Sequence, residues 1–138
     1  MRVPLSKPDI SEEDIEEVVK VLKSGRLSLG PYLEKFERAT AEYIGLRAAA
    51  VSSGTAGLHL SLIALGLRPG WHVITTSYSF IASSNVILYL GAIPVFADVE
   101  PDTGNLDPEK VEELIEKEYI WSDGGYLVHR KSRARLWG

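Results

Sequence analysis

Residues 48–98 read "AAAVSSGTAGLHLSLIALGLRPGWHVITTSYSFIASSNVILYLGAIPVFAD", and the order of patterns in this stretch decides the fold class. Ala48 to Val51 is a short apolar run, and small, hydroxylated residues follow from Ser52 to Gly57. Leu58, Leu62 and Leu65 then recur at helical spacing until Gly66. His72 to Thr76 is β-branched and predicts a strand, Phe80 to Leu90 predicts a largely apolar helix closed by Gly91, and Ile93 to Ala97 predicts another strand ending at Asp98. Strands alternating with helices imply βαβ units, a mostly parallel sheet and right-handed crossovers. Two of the three strands carry few polar residues, as expected when both faces of a sheet are covered.

Working outward, the N-terminal side is helical. Ser11 opens Ser-Glu-Glu-Asp14, a capping-box pattern with Asp in place of Glu. Ile15, Val18, Val19 and Leu22 follow at helical spacing, and Gly25 is a suitable stop, so a helix is predicted over 11–24. Pro31 fits the first turn of a second helix that carries Leu33, Phe36, Thr40 and Tyr43 on one side and ends at Gly45. On the C-terminal side, Pro101 to Gly104 is turn chemistry. Asp107 is placed to cap a helix over 108–118 whose apolar stripe is Val111, Leu114 and Ile115. Residues 120–138 hold neither a helical nor a strand period over any length. They read either as a frayed terminus or as an abnormal end of the reading frame.

Composition narrows the class. The chain has 138 residues, 45% apolar and 25% charged, which suits one globular domain rather than a disordered segment. It has no cysteine, which excludes disulfide scaffolds, thiolate metal sites and cysteine nucleophiles. A net charge of −4 argues against nucleic acid as a partner. The charge is uneven: residues 120–138 carry +3, leaving −7 on the first 119. No run approaches the roughly 18 apolar residues of a membrane span, and the N-terminus turns acidic at Glu12, Glu13 and Asp14 instead of following a leader pattern. A cytoplasmic protein is the expectation. His59, His72 and His129 have no ligand spacing with one another or with the carboxylates, so no metal site is expected.

Three segments could carry chemistry. Ser52 to Gly57 falls where a strand would end and a helix begin. The first N–H groups of a helix lack internal partners and the helix dipole favours negative charge there, so small residues and hydroxyls make a phosphate cradle. A plain Ser/Thr cap fits the same residues. The segment is neither a Walker A loop nor a dinucleotide fingerprint, because Gly-Lys-Ser/Thr and Gly-x-Gly-x-x-Gly are both absent. Thr75 to Phe80 follows a strand and should lie at the sheet's carboxyl edge, where open α/β sheets bind ligands. Tyr78 or Phe80 could stack on a flat ligand there, or both could be core. Asp98, at the same edge, could orient a ligand or cap the next turn. The polar loop with Arg26, Ser28 and Gly30 reads first as a connection.

Taken together, "SSGTAGLHLSLIALGLRPGWHVITTSYSFIASSNVILYLGAIPVFADVEPDTGNLDPEKVEELI" and, before it, "SGRLSLGPYLEKFERATAEYIGLRAAAV" closely resemble the large domain of DegT/StrS-type nucleotide-sugar aminotransferases, over about residues 1–118. The resemblance implies an α/β fold: part of the large domain of PLP fold type I, with two N-terminal helices, then βα repeats and a mostly parallel sheet. It implies a helical segment at 1–46, a βαβαβα coenzyme-binding part at 47–118 and an atypical basic tail at 119–138. The implied cofactor is pyridoxal 5′-phosphate (PLP), and such enzymes move an amino group from glutamate or glutamine to a nucleotide-linked keto sugar. The family's phosphate cradle falls on Gly54, Thr55 and Ala56, and its ring-stacking aromatic on Phe80. Leu27, Ser28 and Gly30 match a loop that approaches the active site from the family dimer, and His59 matches a structural position. The family's Schiff-base lysine and pyridinium aspartate come later than residue 138. None of Lys7, Lys20, Lys23, Lys35, Lys110, Lys117 and Lys131 stands in the family's lysine segment, so no catalytic residue is assigned. The expectation is a truncated or split amino-terminal portion, inactive alone, working as a homodimer or with a complementing chain. A non-catalytic phosphate-binding or protein-interaction module is the alternative.

Overall fold

The computed structural model describes residues 6–137. The chain falls into two compact units, Met1–Ala50 and Val51–Gly138.

The first unit contains α1 (Glu12–Ser24) and α2 (Pro31–Ile44). The capping box forms: the Asp14 N–H donates to Ser11 Oγ (3.2 Å), and the Ser11 N–H donates to Asp14 Oδ2 (2.8 Å). The bond from the Ser11 backbone holds the Asp14 carboxyl below its ordinary range. Gly25 ends α1 in the left-handed region, at φ 67°, and Gly45 ends α2 likewise, at φ 72°. The apolar stripes of both helices stay largely open: Ile15, Val18, Leu22, Phe36 and Tyr43 are all exposed. The strand expected at 48–51 does not form. Alanine is a poor strand former, and a strand needs a neighbour to bond. The Ala50 N–H is taken instead by Glu37 Oε1 at 2.8 Å.

The second unit holds α3 (Gly54–Ala64), β1 (His72–Thr76), α4 (Ala82–Tyr89), β2 (Ile93–Ala97) and α5 (Pro108–Glu118), followed by β3 (Tyr119–Trp121) and β4 (Leu127–His129). β1 and β2 pair in parallel, in register from His72 with Ile93 to Thr76 with Ala97, and α4 makes the crossover. Asp107 caps α5 as the sequence suggests, with Oδ1 accepting from the Glu109 N–H (2.8 Å) and the Lys110 N–H (3.3 Å).

The segment after residue 118 is more regular than its sequence suggested. β3 and β4 form an antiparallel hairpin, Tyr119 opposite His129. The chain then returns alongside β1. The His72 N–H donates to the Arg135 carbonyl (2.8 Å), and the Trp137 N–H donates to the His72 carbonyl (2.9 Å). The local pattern was too short to read; the pairing is supplied by β1, which is far away in sequence.

The core gathers Leu67, Ile87 and Ala92, with Leu62, Trp71, Val73, Leu90 and Trp137 packed against it. This cluster joins the C-terminal ends of α3 and α4 to the starts of β1 and β2. The N-termini of both helices therefore lie toward the carboxyl edge of the strands. Full cover of both strand faces is not realised: on β2, Ile93 and Phe96 are exposed. Among the described residues no helix is long and apolar enough to cross a membrane.

Candidate functional site

The start of α3 is open. Ser53 is extended (φ −165°) and caps the helix, its Oγ accepting from the Ala56 N–H at 3.1 Å. The Gly57 N–H donates to the Ser53 carbonyl at 3.0 Å. The N–H groups of Gly54 and Thr55, and the Thr55 hydroxyl, have no hydrogen-bond partner among the described residues. A Cβ built on Gly54 would meet nothing within 4 Å, so nothing in the unit fills the approach to this backbone. Both readings of the segment are thus present together. Ser53 acts as the cap and occupies the Ala56 N–H, while Gly54 and Thr55 keep donors to offer an anion.

Three other predicted residues share this edge. β1 ends at Thr76, whose Oγ1 accepts from the Tyr78 N–H at 3.0 Å and turns the chain outward. Phe80 stands just before α4 and is 76% exposed; Tyr78 is 73% exposed. The reading of both rings as core is therefore excluded. The edge of the Tyr78 ring lies over Gly104, where an added Cβ would come within 3.1 Å of Cε1, while Phe80 keeps its ring free. Asp98, at the end of β2, accepts from the Val99 N–H through Oδ1 (2.8 Å), and its carbonyl accepts from the Asp107 N–H (3.0 Å). It organises the following turn. His59 packs edge-on to Tyr89, with ring centroids 5.5 Å apart, which is a structural contact.

The loop carrying Leu27, Ser28 and Gly30 belongs to the first unit and is described on its own. Leu29 lies in the left-handed region at φ 48°, and Leu27 and Leu29 are both exposed. Residues 25–31 with Glu34 line an open cleft of about 400 Å³. A Cβ on Gly30 would meet the Arg26 carbonyl at 3.1 Å, so the loop closes tightly on itself there.

Sequence reasoning missed one cluster. His72 Nδ1 and the Tyr119 hydroxyl are 2.8 Å apart, and both residues are buried. The His129 ring stands 5.1 Å from that of His72 and 5.5 Å from that of Tyr119. His129 Nδ1 accepts from the Ser132 N–H at 3.1 Å, and Nε2 lies 3.5 Å from Glu118 Oε2. Burial, aided by the charge of Glu118, pushes the Tyr119 phenol up to about 12. Burial, then the nearby His129, lowers the His72 imidazole from its ordinary value. The sequence signal was weak: His72 stood on a predicted strand, but Tyr119 and His129 fell in or beside a stretch with no readable period. Among the described residues no group of three or more His, Cys, Asp or Glu is arranged to hold a metal.

Comparison with known proteins places the chain in a family. The sequence profile of the DegT/DnrJ/EryC1/StrS aminotransferase family matches residues 8–120. The spore coat polysaccharide biosynthesis protein SpsC of Bacillus subtilis (strain 168) is 45% identical over 114 residues, covering 82% of this chain and 29% of that protein. The 3-oxo-glucose-6-phosphate:glutamate aminotransferase of the same organism is 39% identical over 121 residues, covering 83% of this chain and 27% of that protein. The crystal structure of NtdA from Bacillus subtilis with bound cofactor PMP superposes with a TM-score of 0.69 at 39% identity, over 75% of this chain and 25% of that one. The chain thus spans under a third of the length of each of these relatives.

Proposed function

The chain belongs to the DegT/DnrJ/EryC1/StrS aminotransferase family, and from that premise we propose that it forms the coenzyme-phosphate side of a PLP-dependent aminotransferase acting on a nucleotide-linked keto sugar. In this reading residues 1–46 are the helical entry, 47–118 bind the coenzyme, and 119–138 are an added basic segment. The Gly54 and Thr55 N–H groups, the Thr55 hydroxyl and the backbone at Ala56 hold the phosphate, and Phe80 lies against the pyridine ring. Leu27, Ser28 and Gly30 serve the substrate side.

The observation that carries the reading is the open start of α3: two unpartnered N–H groups and one free hydroxyl, with room for an anion to approach. These donors fit a phosphate monoester, which is dianionic or nearly so near neutral pH. The coenzyme, when bound, supplies an electron sink for the amino transfer. This chain's residues bind and orient it. We assign them no covalent anchor, because none of the seven lysines stands in the family's lysine segment. A lysine, and a carboxylate for the pyridine nitrogen, must come from further polypeptide, whether continuous with this chain or separate. The same reading gives the protein a cytoplasmic place and either a second copy or a complementing chain as partner.

The test is a titration with phosphate and with PLP, followed by amide NMR. Saturable shifts at the Gly54 through Gly57 amides are expected. Silence at those amides up to saturating ligand would remove the proposal. Borohydride treatment with PLP should leave no single lysine specifically labelled on the isolated chain, and one such adduct would contradict the need for an outside lysine. One observation favours a second reading, that of a non-catalytic phosphate-binding module: the α3 start offers its donors within this chain, while no lysine lies between Lys35 and Lys110. Amino transfer on mixing with a lysine-bearing partner fragment would decide for the enzyme.

A further inference from the structure

The side chain of Arg135 stands apart from the site above. Its guanidinium lies over two aromatic rings, 4.5 Å from the Trp71 centroid and 4.6 Å from that of Tyr126. Ring contact holds the guanidinium in place, and its N–H donors point in its own plane. Nε is buried and has no hydrogen-bond partner. Unpaired buried donors are rare in folded proteins. The ion pairs among the described residues join Lys20, Lys110, Lys117 and His129 to glutamates, and none involves Arg133 or Arg135. Both arginines line one open cleft of about 450 Å³, together with Gly70, Trp71, Ser122 and Tyr126.

The backbone beneath this side chain is fixed from two sides. The Arg135 carbonyl accepts from the His72 N–H of β1 (2.8 Å), and residue 135 bridges Val128 of β4. Arg133 is held in the left-handed region at φ 61°, a conformation that costs energy for a residue with a side chain. The turn that places two arginines on one cleft is therefore both rigid and strained.

We propose that this cleft is an oxyanion site that takes the phosphoryl group of a small phosphate ester, with Arg135 as a planar fork and Arg133 as the second charge. Two cations without an acid match a dianionic phosphate better than a singly charged carboxylate. The two rings hold the fork in place before the ligand arrives, so little side-chain freedom is lost on binding. The site depends on residues 71 and 122–135 and is independent of the donors at α3.

The experiment follows the arginine Hε–Nε signals of the full chain by NMR. Inorganic phosphate is the probe, and acetate at matched ionic strength is the carboxylate arm. Phosphate should shift the Arg135 signal saturably, with a dissociation constant on the order of 10 mM or tighter, and acetate should not. Arg135→Lys keeps the charge but loses the fork, and should weaken phosphate binding about ten-fold or more. Arg133→Gln leaves the ring contacts untouched and guards against a folding defect in the first variant; it should weaken binding several-fold. An unmoved Arg135 signal, an equal response to acetate, or unchanged affinity in Arg133→Gln would each overturn the proposal. Shifts at Gly54 to Gly57 are read from separate signals, so the two phosphate sites stand or fall independently.

Discussion

At the scale of single residues, Thr55 and Tyr119 have opposite surroundings, and each makes a prediction. The Thr55 hydroxyl has no partner among the described residues, so Thr55→Val should leave the fold intact. It should remove one donor to a bound phosphate, a loss of about 1.5–3 kcal/mol in affinity for hydrogen bonds to charged groups. Calorimetric titration with PLP or phosphate would measure it, and an unchanged constant would make Thr55 a mere helix former. The Tyr119 hydroxyl is committed to His72 inside the protein. Tyr119→Phe strands a buried ring nitrogen and should cost about 1–3 kcal/mol in urea unfolding. The pH dependence follows from the same pair. The folded state takes up a proton on His72 only at lower pH than the unfolded chain, whose ordinary value is 6.5, so stability falls as pH drops below that value. Tyr119 keeps its proton to about 12 in the folded state but loses it near 10 when unfolded, so stability also falls between those values as pH rises. Tyr119→Phe should abolish the alkaline limb and keep the acid one. A flat urea midpoint from pH 10 upward in the parent chain would show that the phenol is not buried.

At the scale of elements, the connections decide as much as the helices and strands. Gly91 turns the chain from α4 into β2 at φ 67°, and an added Cβ would lie 3.2 Å from Pro69 Cβ. Gly91→Ala combines a left-handed side chain with that close contact and should cost about 1–2 kcal/mol or more. A thermal melt unchanged from the parent would mean that the turn can relax. The strands His72–Thr76 and Ile93–Ala97 and the helix Pro108–Glu118 fall on the residues that the sequence marks out. Each carries its own signal, either a β-branched run or a cap with an apolar stripe. The apolar run at Ala48–Val51 and the segment after Glu118 were misleading for one reason. Whether a short stretch is a strand depends on having a neighbour to pair with, and the neighbour is not in the stretch. Ala50 bonds to a glutamate side chain, while Tyr119–Trp121 finds Leu127–His129.

At the scale of the whole molecule, the second unit is closed on one side and open on the other. Trp137 packs against Leu67, Ile87 and Ala92 after the chain has returned alongside β1. Trp137→Ala should therefore destabilise the unit by roughly 2–5 kcal/mol, as large-to-small changes against a core do, although it lies one residue from the end of the chain. Denaturant unfolding tests this, and a loss within experimental error would mean that the C-terminal segment only rests on the core. On the other side, β2 has no strand partner beyond β1 among the described residues, and Phe96 is 51% exposed. Apolar strand edges recruit other chains. The protein should self-associate as its concentration rises, and Phe96→Lys should shift sedimentation profiles toward the smallest species. Identical profiles for the two proteins would clear this face of responsibility.

The sequence by itself determined the helices with their caps, the two parallel strands, the family and the identity of the donors at Gly54 and Thr55, because each is written within a few consecutive residues and their periodicity. The tertiary structure alone decided that Phe80 and Tyr78 face solvent, that His72, Tyr119 and His129 pack together, and that Arg135 lies over both Trp71 and Tyr126. Those outcomes depend on which distant segments meet. Burial and pairing are properties of the meeting, and no local pattern encodes them.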